Sequence, residues 1–219
     1  MSESPPHIRV RRHPERGHHE RDILYSIIDA AWFCHAATVR DSWPVVIPTL
    51  HIRIGDQLYI HGAVAAGLLK NLGEGARVCV TITHLDGLVL ARSLYNHSAN
   101  YRSAVIFGQA REVTDRALKM AVFRAFADRV APGRWDDARQ PNDREVRTTR
   151  VFAVPLENAS AKIRKGPPAD DAEDMERPTW AGVIPLRTVY GDPESDPAQS
   201  PAVALPDYLK DMLDRDRIG

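Results

Sequence analysis

The order in which helical and strand patterns follow one another constrains this chain more than any single motif. Ile23, Leu24, Ile27, Ile28 and Ala31 recur at the spacing of one buried helical stripe, with Glu20, Arg21 and Asp22 in its first turn. Strand patterns then dominate: residues 33–39, Val45–Ile54, Leu58–His61, Arg77–His84 and Tyr101–Val113, interrupted only by a short helix over Ala65–Leu72. A second helix carries Leu118, Ala121, Val122, Ala125 and Val130, with Thr114 as its N-cap, and Val151–Leu156 and Ala159–Arg164 read as late strands. A doubly wound parallel sheet needs regular alternation of strand and helix, which is missing. The expected fold is mainly β with flanking helices, an antiparallel barrel that is closed or nearly so.

Punctuation residues refine this. Gly55-Asp56-Gln57 and Asp86-Gly87 read as turns, Gly73-Glu74-Gly75 as a helix stop, and Pro132-Gly133 as the end of the second helix. Alternation places Leu50, Ile52 and Ile54 on one strand face and Thr49, His51 and Arg53 on the other. Pro48 has no N–H to give, so it marks an edge, a bulge or a ligand-facing break. Gly108 points to a bulge or a close backbone approach. Residues 134–149 read as loop or short helix, the acidic stretch from Gly166 as an exposed loop, 191–206 as a linker, and Tyr208–Leu213 as a last helix. The expected partition is an arm or edge extension over 1–18, a main domain over 19–190 and a tail over 191–219.

Composition excludes several classes. The 219 residues hold 29 Lys+Arg against 29 Asp+Glu, without the basic excess of a dedicated nucleic-acid binder. No apolar run approaches the roughly 18 residues of a membrane span. The first residues lack an apolar signal core, so a cytoplasmic location is expected. Cys34 and Cys79 both fall in apolar strand patterns and read as buried, inert thiols, with no metal-ligand spacing around them.

Chemistry-bearing residues are few. Tyr59–Lys70 ends a strand in small residues and begins a helix with Lys70 one turn in, a pattern suited to a phosphate but equally to a tight turn with a solvated lysine. His61 is either a ligand or acid–base group or a satisfied strand histidine. Tyr101-Arg102-Ser103 sets a cation beside a hydroxyl, which could grip a phosphate or carboxylate, or simply pair Arg102 with an acidic residue. Trp180 suits stacking or core packing. Neither a Gly-x-Ser-x-Gly elbow nor a paired-carboxylate motif appears, so any catalysis points to a borrowed cofactor.

Taken together, several segments resemble the pyridoxamine 5′-phosphate oxidase-like family of flavin-binding split-barrel proteins, in the branch that includes the nitroimidazole-resistance proteins. They are Arg11–Gly17, Pro44–Leu50, Leu58–Gly62, Asp86–Ser93, Asn100–Ser103, Pro132–Trp135, Lys162–Pro168 and Trp180–Leu186. The resemblance implies a six-stranded antiparallel split barrel and a homodimer with FMN at the subunit interface, acting on a small molecule. By position it implies that Ile47, Pro48, Thr49 and Leu50 run beside the flavin ring, that His61, Gly62 and Ala63 line the ribityl chain, and that Lys70 faces the phosphate. Tyr101, Arg102 and Ser103 would lie on the strand bordering the interface, and Trp180 would approach the flavin from the other subunit. His61 is the candidate functional histidine. Relatives open the short helix with Ser and Arg where this chain has Ala66 and Gly67, so a degenerate phosphate site is an alternative. So is a non-catalytic flavin- or haem-binding module.

Overall fold

The computed structural model describes residues 10–63, 75–200 and 202–218; the short helix expected over Ala65–Leu72, with Ala66, Gly67 and Lys70, lies outside them. Ten strands occur among the described residues: β1 (Gly17–His18), β2 (Phe33–Arg40), β3 (Trp43–Ile54), β4 (Gln57–Ala63), β5 (Arg77–Leu90), β6 (Ser98–Gln109), β7 (Arg111–Glu112), β8 (Thr149–Pro155), β9 (Ala159–Arg164) and β10 (Gly182–Pro185). The helices are α1 (Arg21–Ala30), α2 (Arg116–Val130), α3 (Arg134–Asp137), α4 (Asp143–Thr148) and α5 (Asp207–Ile218).

All strand pairs are antiparallel, in the order β1-β9-β6-β5-β2-β3-β4-β8-β7, with β10 added to β5. The sheet remains open, as a split barrel does, and it exceeds the six strands expected because short edge strands extend it. The split runs through β3. Its first part, Trp43–Leu50, pairs with β2, and its second part, His51–Ile54, pairs with β4. Pro48 lies in the first part, opposite His35, where the far edge of β3 has no strand partner among the described residues. An edge position is the reading of Pro48 that holds.

Two apolar cores cover the two faces. In the larger, Leu24, Ile27 and Ile28 of α1 pack on Leu58, Ile60, Val80, Ile82, Ile106, Phe152 and Val154. Burying each such aliphatic side chain fully is worth roughly 1.5–3 kcal/mol. In the smaller, Val122 and Phe126 of α2 pack on Tyr59, Val113 and Val151, with Leu50 and Ile52 at its margin. His51, on the face read as polar, is in fact buried: its Nε2–H donates to the Ile28 carbonyl at 2.9 Å, while His84 Nε2–H donates to Ile27 at 2.9 Å. Both acceptors are carbonyls of the last turn of α1, where helical bonding runs out; the Ile28 carbonyl also takes the Ala31 N–H at 3.3 Å. Burial lowers the His51 pKa and keeps the ring neutral.

Four local expectations are corrected. Asp86-Gly87 is a bulge inside β5, because β6 and β10 both continue alongside it. At Gly87 a Cβ would stand 3.0 Å from the Ile184 carbonyl, so only glycine admits β10 this closely. The N-cap of α2 is Asp115, whose carboxylate accepts from Leu118 N at 2.7 Å, and the buried stripe is Val122 and Phe126, with Leu118, Ala121 and Val130 exposed. The acidic loop is largely exposed, as expected, though it is anchored by the Asp170 side chain, which is fully buried and accepts from the Arg92 backbone and guanidinium. Cys34 is buried as expected, with its thiol pushed up to about 12, but Cys79 is only half-buried. Gly108 does mark a close approach: a Cβ there would meet Val154 Cγ1 at 2.9 Å.

Candidate cofactor site

Strand period places His61. Along β4, Leu58 and Ile60 enter the larger core, so Tyr59 and His61 turn to the opposite face, toward α2. There the ring of His61 meets Phe126 edge-on at a centroid distance of 4.2 Å and Phe123 at 6.1 Å. Phe123 and Phe126 stand three residues apart, one helical turn, and so reach the same ring. Gly133, at φ +96°, turns the chain after α2 and swings α3 and α4 back over this face.

The result is a cavity of about 370 Å³, within the size range of small-molecule sites, lined by His61, Phe123, Phe126, Trp135, Pro141 and Glu145 among others. Its charged residues are engaged: Arg139 grips Glu145 through two contacts of 2.8 and 3.1 Å, and Arg134 bonds Asp137 at 3.0 Å. Glu145 also closes a capping box with Asn142 at the start of α4, and together these bonds hold its carboxyl down at about 2.

His61 itself is not satisfied. Its Nδ1 is buried without a hydrogen-bond partner, and burial among the phenylalanines lowers its pKa. A neutral imidazole bordering an aromatic cavity has the donor chemistry to ligate a metal-bearing planar group through its other ring nitrogen. The arrangement can also orient a planar aromatic ligand between His61 and Trp135.

The other predicted residues lie elsewhere. Ile47–Leu50 line the unpaired edge of β3, where Ile47 and Pro48 are exposed. Gly62 and Ala63 pair with Arg150 and Thr149 at the end of β4, close to His61. Tyr101, Arg102 and Ser103 sit in β6, between β5 and β9, four strands away from β4 in the sheet. Arg102 holds Asp86 with two bonds of 2.9 and 2.8 Å, which lower the Asp86 pKa, and Ser103 donates to the Lys162 carbonyl at 3.3 Å. Trp180 is exposed just before β10. Among the described residues, one chain therefore brings together only His61, Gly62 and Ala63 of those predicted. Sequence reasoning missed Phe123, Phe126 and Trp135; the sole signal for them was Pro132-Gly133-Arg134-Trp135, a turn without evident chemistry.

The chain is thus an open antiparallel split barrel with an aromatic cavity at the end of one strand. The chain belongs to the pyridoxamine 5′-phosphate oxidase family, whose model matches residues 20–163. It is similar to the flavocytochrome Anf3 of Azotobacter vinelandii, with 38% identity over 92% of this chain and 94% of that one, at a TM-score of 0.87. It is also similar to an FAD and haem binding protein of Mycobacterium smegmatis, with 36% identity over 90% and 97% of the two chains, at a TM-score of 0.86. A protein described as a 5-nitroimidazole antibiotic resistance protein of Bacteroides thetaiotaomicron shares the fold, with 22% identity over 67% and 86% and a TM-score of 0.56. Among curated proteins, none matches the chain. No helix among the described residues is long and apolar enough to cross a membrane.

Proposed function

We propose that this chain is a redox protein that binds a flavin and a haem and works as a homodimer. The observation that carries the reading is His61, a half-buried neutral imidazole that borders an aromatic cavity, its Nδ1 buried and its other ring nitrogen left to meet a ligand. A histidine-held haem needs a neutral imidazole and an apolar wall, and His61 with Phe123, Phe126 and Trp135 would supply both. A bound flavin and haem would together allow two-electron and one-electron steps to be linked in one protein. The chain's own part is to keep His61 deprotonated by burial and to hold its plane by the edge contacts of Phe126 and Phe123. Glu145 and Arg139 close the polar side of the cavity as a fixed ion pair.

The flavin would lie along the unpaired edge of β3, where the Ile47–Leu50 backbone is open to a ring's polar groups. The exposed side chains of Trp43 and Val46 beside it support a second subunit covering that edge. Whether the flavin is FMN, as the resemblance implies, or FAD decides how much of the ligand extends beyond the ring. A small-molecule oxidoreductase that uses FMN alone is the second reading, favoured by the family match.

The experiment is an absorption spectrum of the purified protein, taken before and after adding haemin and desalting, with the released flavin identified by chromatography. A haem band retained by the parent and lost in His61→Ala is expected. Retained flavin with no haem band in the parent would overturn the haem reading and leave the second one. Val46→Asp is expected to convert a dimer to a monomer in sedimentation and to release flavin; an unchanged sedimentation coefficient would remove β3 from the interface.

A further inference from the structure

A second recess lies far from His61, between the N-terminal segment and the start of β6. It encloses about 670 Å³ and is lined by Arg12, Arg16, Tyr101, Lys162 and Arg164, with His13 and His97, and among the described residues by no carboxylate. Period 2 along β9 puts Lys162 and Arg164 on one face, and Tyr101 stands directly across from Arg164 in register. The N-terminal segment completes the recess by crossing β9: Gly17 pairs with Lys162, and Lys162 Nζ donates to the Arg12 carbonyl at 3.0 Å.

Arg164 is the informative residue. It is 9% exposed, yet its guanidinium bonds only neutral acceptors: the Asn100 side chain, the Pro167 carbonyl at 3.3 Å and the Gly166 carbonyl at 3.5 Å. Burying a cation without a counter-ion is costly, and nearby Arg16 adds repulsion, so the guanidinium pKa is lowered even though arginine stays charged. None of the carboxylates around it pairs with Arg164, although Glu15 takes two cations of the recess rim. Glu15 is bound by His13 at 3.1 Å and Arg16 at 3.5 Å, Asp171 takes the Asn96 amide at 3.4 Å, and Asp170 takes Arg92. The Arg12 side chain has no partner among the described residues.

We propose that this recess is a binding site for a small molecule carrying a multivalent oxyanion, a phosphate or carboxylate group of at least two negative charges. Arg164 is the desolvated anchor, Arg12, Arg16 and Lys162 supply the surrounding charge, and Tyr101 offers an aromatic wall. Charge-assisted bonds to arginine are the strongest available to such a ligand, and Arg164 has already been stripped of water to make them. The site owes nothing to His61, and its test is independent of haem or flavin.

The test is titration calorimetry of the full chain with inorganic pyrophosphate and, separately, with citrate. Stoichiometric binding of at least one is expected, with the preferred anion naming the phosphate or carboxylate source. The affinity should fall at least threefold in the Arg12→Gln/Arg16→Gln double variant, whose changes lie at the outer part of the recess, and should be the same in His61→Ala as in the parent. Arg164→Met should abolish binding; if that variant does not fold, the double variant decides. Absence of binding by both anions, or a change below threefold in the double variant, overturns the proposal.

Discussion

Replacing His61 by leucine should stabilise the fold and remove the haem site in one step. Leucine has nearly the same volume as histidine, so the space between β4 and α2 stays filled. Three terms change. The buried Nδ1 has no partner, and an unsatisfied buried polar group costs about 1–3 kcal/mol, which leucine relieves. The edge contacts with Phe126 and Phe123 are lost, worth about 0.5–1.5 kcal/mol where the rings are close, as with Phe126 at 4.2 Å. Leucine regains part of that through its own apolar contacts with the same two rings. The net expectation is a gain of about 1 kcal/mol, which for a chain of this size raises the melting midpoint by roughly 2–4 °C. The assay is reversible urea unfolding of parent and variant without added cofactor, paired with haemin titration followed by absorbance. A destabilisation beyond 1 kcal/mol would show that His61 is held by an interaction the fold needs, and the argument from its unused nitrogen would fall. A stabilised variant that still binds haemin as the parent does would move the axial ligand elsewhere.

The remaining expectations are quicker to state. His51 and His61 both have pKa values lowered from the ordinary 6.5 by burial, so the unfolded chain takes up protons first as pH falls. Stability should therefore be full above about pH 6.5 and decline below it, by up to about 1.4 kcal/mol per pH unit for each ring until the folded-state values are reached; denaturant midpoints that do not move between pH 7 and pH 5 would contradict this. Gly108→Ala places a methyl group 2.9 Å from Val154 Cγ1 and 3.4 Å from the Pro155 ring, so a loss of about 1–3 kcal/mol is expected in urea unfolding, and a neutral result would mean that β8 yields freely there. In the native protein at pH 8, iodoacetamide should modify the half-buried Cys79 while leaving Cys34, with its thiol near 12, intact; equal labelling by mass spectrometry would show that β2 opens readily.

The strand framework was legible because period-2 alternation survives in the sequence wherever one face of the sheet is buried. Most of β2, β3, β4, β8 and β9 could be placed to within a few residues for that reason. The failures share a cause: a local signal was decided by a distant partner. Asp86-Gly87 has the same sequence whether it turns a hairpin or bulges a strand, and the choice is made by β10, nearly a hundred residues later. His51 reads as polar until α1 presents the Ile28 carbonyl to it. The buried stripe of α2 was misjudged because Leu118 and Val130 are apolar yet the smaller core is centred on Val122 and Phe126, beneath Leu50 and Ile52. Candidate-site residues fared likewise. His61 was visible as a histidine at a strand end, whereas its aromatic walls come from a helix and a turn that carry no motif.

The two charge patterns on this molecule also separate what a residue type suggests from what its surroundings permit. Arg102 in Asn-Tyr-Arg-Ser reads either as an anion grip or as the partner of an acidic residue, and the bulge at Asp86 decides for the second by turning a carboxylate onto it within the sheet. Arg164, in the strand segment Lys-Ile-Arg-Lys that had no anion-binding reading, faces neutral acceptors alone and keeps its charge uncompensated. Equivalent side chains on neighbouring strands thus have opposite capacities, and the difference lies in one bulged residue. The same logic governs the histidines: His51 and His84 spend an N–H on the end of α1, while His61 spends nothing on the fold. In a chain whose cores already hold it together, a buried nitrogen without a partner, as in His61 and His51, or a buried cation without a counter-ion, as in Arg164, is a cost that folding does not require, and each of these residues carries it beside a cavity.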